Sequence, residues 1–243
     1  MLPPVRILDL PPRFRPVALR ELRDAFEYAT ANAAALGAGA LVFVGRFDIS
    51  EFAVVLEPEE PLASARGAFY AGMLALADTL AALAPPETSI AIAWPDAVHV
   101  GSKLVGGGRL AWPRDAEEDA TPDWLVFAAI VRLASASGEK SGSHSLSTTQ
   151  QDEGFGEIGV ERFIEGFARR LMAVFDRWRD GDFATLARDF TAILRRELGA
   201  SFAIDANGDL WIERPGVPAA RRDLRSALAT PSWLGPLVGA PRR

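Results

Sequence analysis

Apolar residues recur at spacings of three and four through Phe69, Met73, Leu76, Leu80 and Leu83, which predicts a helix over 63–83 closed by Pro85-Pro86. The same period runs through Phe163, Phe167, Leu171, Val174 and Trp178, and again through Leu186, Phe190, Ile193 and Leu194. These predict helices over 160–179 and 183–198, parted by Gly181-Asp182. A further helix is predicted over 17–36, behind a proline-rich arm from Leu10 to Pro16 and ending at Gly37 and Gly39. Between the helices the pattern turns to short β-branched and aromatic runs. Strands are predicted at 41–44 and 52–57, joined by the short connection Gly45 to Ser50. Four more follow at 89–93, 97–100, 104–111 and 123–133, close enough together for an antiparallel meander. Each helix presents an apolar stripe that needs a partner, so helices packed on a mixed or antiparallel central sheet, an α+β fold, are expected.

Two stretches break the pattern. Residues 135–154 are rich in Ser, Gly, Thr and Gln and are expected to form a mobile loop. From about residue 200 the chain reads as a small β subdomain, with strands at 201–204 and 209–213 joined across Asp205-Ala206-Asn207-Gly208. Asn-Gly supplies the left-handed geometry of a tight hairpin. The expected division is therefore 1–199 and 200–243.

Composition removes several classes of function. The chain has 243 residues and no cysteine, which excludes disulfides, thiolate metal sites and a cysteine nucleophile. Its net charge of −6 argues against nucleic acid as a partner. No apolar run is long enough for a membrane span and the N-terminus lacks a signal-like pattern, so a cytoplasmic protein is expected. No metal-ligand spacing is apparent. Positive charge is carried almost wholly by arginine, with lysine only at Lys103 and Lys140. Lys103 stands in the stretch Ala93-Trp94-Pro95-Asp96, then Ser102-Lys103-Leu104-Val105-Gly106-Gly107, a strand-turn-strand in which a compact ammonium is not interchangeable with a guanidinium.

This stretch, in its order of helices and strands, resembles the biotin/lipoate protein ligase family, whose members carry a Trp-Pro-Asn-Asp turn followed by Lys-Lys-Leu-Ala-Gly. The resemblance implies a fold like that of class II aminoacyl-tRNA synthetases and biotin protein ligases. It also implies activation of a biotin- or lipoyl-like acid, octanoate included, by ATP with Mg2+, and transfer to a lysine of a biotinyl- or lipoyl-carrier domain. Lys103 would then be the catalytic cation, stabilising the negative charge of acyl-adenylate formation. Trp94, Pro95 and Asp96 would form the turn beside the nucleotide, Arg46 would remain from the loop that closes over the adenylate, and Gly106 and Gly107 would admit the ligand close to the backbone.

Read without the resemblance, the same residues have plainer roles. Trp94 is a packing residue, Pro95 ends a strand, Asp96 caps its own turn, Lys103 sits at a hairpin tip, and His99 lies on a sheet surface without a partner nearby in sequence. The chain also departs from the family pattern. Ala93 replaces a lysine, the connection 45–50 is short, and Trp94-Pro95-Asp96 is one residue shorter than its counterpart. Lys103 takes the family lysine's place if that gap lies in the turn, and Leu104 does if it does not. A ligase, a non-catalytic ligand-binding protein on the same scaffold and an ATP-independent acyltransferase are the three functions left open.

Overall fold

The computed structural model describes residues 8–20, 23–46, 49–132, 159–195 and 199–234. The polar stretch 135–154 lies outside them.

A seven-stranded sheet organises the molecule. Its strands are β1 (Arg15–Leu19), β2 (Ala40–Val44), β3 (Ile49–Leu56), β4 (Ile90–Ala93), β5 (Ala97–Val100), β6 (Lys103–Ala111) and β7 (Leu125–Arg132), in the order β1-β2-β3-β7-β6-β5-β4. Every pairing is antiparallel except that of β1 with β2, so the sheet is mixed and β4 to β7 form the expected meander. On one face lies α1 (Ala25–Leu36), whose buried Ala25, Ala29 and Ala33 pack on Val42, Val44, Ala53, Val55, Val126 and Ala128. Small side chains let this helix lie close to the strands. The opposite face carries α3 (Gly67–Leu83) and α4 (Val160–Asp180), with Phe52, Phe127, Phe163 and Phe167 filling the space between layers. Phe127 and Phe167 stack 5.8 Å apart, and Phe52 tilts against Phe167 at 4.5 Å.

The structure corrects several boundaries. Residues 17–19, expected in a helix, belong to β1, and the helix starts only at Ala25. The Asp24 carboxylate caps it by accepting from the Glu27 amide at 2.8 Å, a local bond that outweighs the apolar spacing upstream. The helix expected from residue 63 is divided into α2 (Leu62–Ala65) and α3 at the buried Arg66, which pairs with Glu118 at 2.6 Å. α5 (Phe183–Ala192) stops six residues short of the expected 198. There the backbone crosses to the sheet: Ile92 donates to the carbonyl of Ile193, and Arg195 donates to that of Ile92. Covering the free edge of β4 competes successfully with continuing the helix.

Beyond residue 200, β8 (Ser201–Ile204), β9 (Leu210–Arg214) and a third strand absent from the sequence reading, β10 (Val217–Arg222), form an antiparallel sheet, followed by α6 (Leu224–Ala229). Gly208 takes the left-handed conformation expected of the Asn-Gly turn, with φ of 85°. Leu210, Ile212, Leu224 and Leu228 join the main core, and the Tyr70 hydroxyl on α3 donates to the carbonyl of Gly208.

Candidate functional site

α1 covers only part of its face of the sheet. Over β3, β7, β6 and β5 the register leaves a second patch: Ile49 and Glu51 on β3 stand opposite Arg132 and Ile130 on β7, and Gly107 on β6 stands opposite Ile130 and Ala97. Ile49, Ala97 and Ile130 form a small apolar cluster of their own, with Ala93 and Leu104 at its margin. Their partner from outside the sheet is Trp233, wholly buried although it follows α6 on a segment whose Thr230 and Ser232 are exposed.

Charge gathers where this patch meets α1. Arg109, two residues along β6 from Gly107, lies over the Phe26 ring at 3.8 Å and 4.0 Å from the Asp24 carboxylate. The Glu51 carboxylate accepts from the Ala25 amide at 2.8 Å and feels Asp24, Arg46 and Arg109. Burial raises the pKa of Glu51 above its ordinary value, and the Ala25 bond and the two arginines only partly oppose this. Burial likewise lowers that of Arg109, against the pull of Asp24, Glu27 and Glu51. Arg132, almost buried, stands on the same face. Cations and carboxylates thus lie beside an apolar floor, as recognition of an acid with an apolar body requires.

Because Glu51 has a higher pKa folded than unfolded, the unfolded chain loses its proton first, and stability falls as pH rises from about 4.5 through the folded value. Glu51→Gln keeps an acceptor for Ala25 and removes this slope. Denaturation midpoints measured from about pH 4 to about pH 8 are expected to show the wild type losing ground to the variant as pH rises. Parallel curves would contradict this account.

The residues singled out by the sequence divide into groups. Trp94 and Pro95 are joined by a cis peptide bond. The Trp94 indole donates to the Tyr70 hydroxyl at 3.1 Å and packs against the main core, so it ties the β4–β5 turn to α3, whose Tyr70 in turn reaches Gly208. Asp96 is buried, and its carboxylate accepts from the Ser232 amide at 2.9 Å and from the Ser232 hydroxyl at 2.5 Å. A β-carbon on Gly107 would overlap the Asp96 carbonyl and the Trp233 indole, and one on Gly106 would overlap the carbonyl of Ile130. The space expected to admit a ligand beside Gly107 therefore holds a side chain of the chain itself.

Lys103, half-exposed at the start of β6, pairs with Val100, whose side chain belongs to the main core on the opposite face. Leu104 pairs with His99 and packs at the margin of the Trp233 cluster. Directly opposed residues share a face. Leu104, rather than Lys103, thus lies on the face of Gly107, Arg109 and Trp233. His99 has a partner that sequence spacing does not reveal, because Arg195 reaches its Nε2 at 3.3 Å after the turn out of α5. Burial, then Arg195, holds the imidazole below its usual pKa.

Glu51, Arg109, Arg132, Ser232 and Trp233 are additions to the residues expected from sequence. A glutamate within the apolar run of β3 was the available signal for the first of them. A cavity of about 910 Å³ opens elsewhere, lined by Phe14, Leu56, Leu125, Met172, Phe175 and Trp178 among others, and includes none of the residues expected to form the site. Among the described residues no group of His, Asp and Glu is arranged to hold a metal ion, and no helix is long and apolar enough to cross a membrane.

Comparisons place this architecture among known structures. A biotin protein ligase-like protein of unknown function from a Silicibacter species superposes with a TM-score of 0.77 and 26% identity, over 92% of this chain and 100% of that one. The biotin protein ligase of Aquifex aeolicus superposes with a TM-score of 0.65 over 86% of this chain and 99% of that one, at 12% identity. The same enzyme in complex with biotin and ATP gives 0.61, over 86% and 98%, also at 12% identity. These likenesses show the ligase fold. No curated protein matches the sequence. The sequence model of one family does match, over residues 10–192, most of the chain: this protein belongs to the biotin/lipoate A/B protein ligase family.

Proposed function

We propose that the chain binds a biotin- or lipoyl-like carboxylic acid on the sheet face that α1 leaves uncovered. The observation that carries the reading is the pairing of an apolar floor, Ile49, Ala97 and Ile130, with the cations Arg109 and Arg132 on one face of one sheet, and with Arg46 near enough to act on Glu51. The ring and aliphatic chain of such an acid lie over the floor, and its carboxylate lies toward Arg109. The fold shared with a ligase seen in complex with biotin and ATP supports this direction. Half-burial of Arg109 makes its hydrogen bond to a carboxylate stronger than one made in open solvent.

The expected test is a melting and calorimetric titration with biotin, lipoate and octanoate. At least one acid is expected to bind, and Arg109→Ala is expected to weaken it at least about tenfold, the scale of one charge-assisted hydrogen bond. Lys103→Ala is expected to leave acid binding within about twofold, because the register turns Lys103 away from this face. Absence of binding by all three acids in the wild type would overturn the reading.

A second reading, ATP-dependent activation of the acid and transfer to a carrier-domain lysine, is favoured by family membership. In that reading Arg46, Arg109 and Arg132 would hold the nucleotide phosphates, and Trp94-Pro95-Asp96 with Gly106 would form the adjoining turn. ATP with Mg2+ would supply the leaving group that activates the carboxylate. Release of pyrophosphate on mixing protein, acid and ATP, lost in Arg109→Ala, is the result this reading requires. Acid binding without turnover supports the simpler binding protein. Direct acyl transfer without ATP ranks below both, since the chain has no cysteine to carry a thioester.

A further inference from the structure

We infer that Trp233 is an internal occupant of the ring-binding slot, and that an external ring enters only when residues 231–234 withdraw. The acid-binding part of this inference rests on the reading above, while the slot itself rests on geometry alone. The indole lies where Gly107 leaves no side chain, above Ile49, Ala97 and Ile130, and its N–H donates to the carbonyl of Gly108 at 3.2 Å. A flat bicyclic group with one donor at a fixed edge therefore fits this slot, as the protein's own side chain demonstrates.

One wholly buried side chain anchors the segment among exposed and half-exposed neighbours. Trp233 is wholly buried, yet Ala229, Thr230 and Ser232 before it are exposed. The Ser232 contacts to Asp96 and the indole bond to Gly108 are among the polar contacts that fix it. The cluster it completes is separate from the main core, so removing the indole uncovers the slot without opening the layer between the sheet and α3. Withdrawal also frees one acceptor, the Gly108 carbonyl, which the indole N–H otherwise occupies. A ligand ring that replaces the indole must satisfy it, since a buried acceptor left unpaired is costly. A cyclic urea with N–H donors meets this need, whereas a dithiolane or a plain alkyl chain cannot. The slot therefore ranks biotin above lipoate and octanoate. Competition with a tethered side chain also lowers the apparent affinity of any external ligand by the fraction of molecules in which the slot is open.

The experiment uses the full chain. Trp233→Gly is expected to bind indole at least about tenfold more tightly than the wild type in calorimetry, and to gain a similar factor for biotin but not for lipoate or octanoate. A second arm does not depend on that variant folding. The chain has no cysteine, so Asp96→Cys with Ser232→Cys places one thiol pair at two side chains that already touch. Oxidised, this protein is expected to lose ring binding at least about tenfold relative to the same protein reduced. Equal indole binding by wild type and Trp233→Gly, or equal ring binding by the oxidised and reduced pair, would overturn the inference. If Trp233→Gly takes up indole and no acid, the internal occupant stands and the acid-binding reading falls. If acids bind equally to every form, the acid-binding reading stands and the internal occupant falls.

Discussion

Gly107→Ala is expected to destabilise the protein by more than about 3 kcal/mol, the upper range for an overpacked core, and Gly106→Ala by a similar amount. At Gly107 a methyl group would overlap the backbone carbonyl of Asp96 on one side of the turn and the Trp233 indole on the other. The indole can leave, but the carbonyl belongs to a turn whose Asp96 side chain is itself buried and bonded. At Gly106 the obstacle is the carbonyl of Ile130 on the paired strand, which cannot move without breaking the pairing of β6 with β7. Chemical denaturation reads both effects. Gly45→Ala, where a β-carbon meets nothing within 4 Å, is the control and is expected to be close to neutral. Near-wild-type stability for both strand variants would show that the close approach of these backbones is wrong.

Tyr70→Phe is expected to cost about 2 kcal/mol, the scale of leaving buried partners unsatisfied. One hydroxyl serves two groups: it donates to the Gly208 carbonyl in the tail and accepts from the Trp94 indole before the Asp96 turn. Burial of this phenol raises its pKa well above the usual tyrosine range, so it stays protonated and keeps its donor. Trp94 is half-exposed and water can replace part of its bond, so the loss falls mainly on Gly208. The double variant Tyr70→Phe with Trp94→Phe is expected to be less destabilised than the sum of the two single variants, because both remove the same bond. Strict additivity in denaturation would contradict the bridge. This assigns Trp94 to a joint in which Tyr70 of α3 holds both the β4–β5 turn and the C-terminal sheet.

The fold was legible in the sequence where one interaction decides the local geometry. The stripe on α4 needs a face to bury against, Asn207-Gly208 needs a left-handed turn, and β4 to β6 need only short connections. Errors fell where a distant partner decided the outcome. Residues 17–19 pair with β2 after the chain has travelled through α1, and residues 193–195 leave their helix to cover β4. Both events depend on a sheet edge that no local window contains. Part of the candidate site stood out in the sequence as a motif, but its surface did not. Asp96 and Gly107 lie at its centre, yet what they hold is Ser232 and Trp233, more than a hundred residues away. The alternation of β6, which sets Leu104 rather than Lys103 on the site's face, became readable only with the register against β5.

Amide hydrogen exchange of the full chain with and without saturating biotin, repeated with lipoate, locates a ligand without assuming any residue's role. Protection confined to β6 from Leu104 to Arg109 and to β7 from Ile130 to Arg132, together with faster exchange at residues 232–234, is the result expected for an acid that enters the uncovered face and expels Trp233. Protection confined instead to the cavity around Phe14, Phe175 and Trp178, with residues 232–234 unchanged, would contradict it.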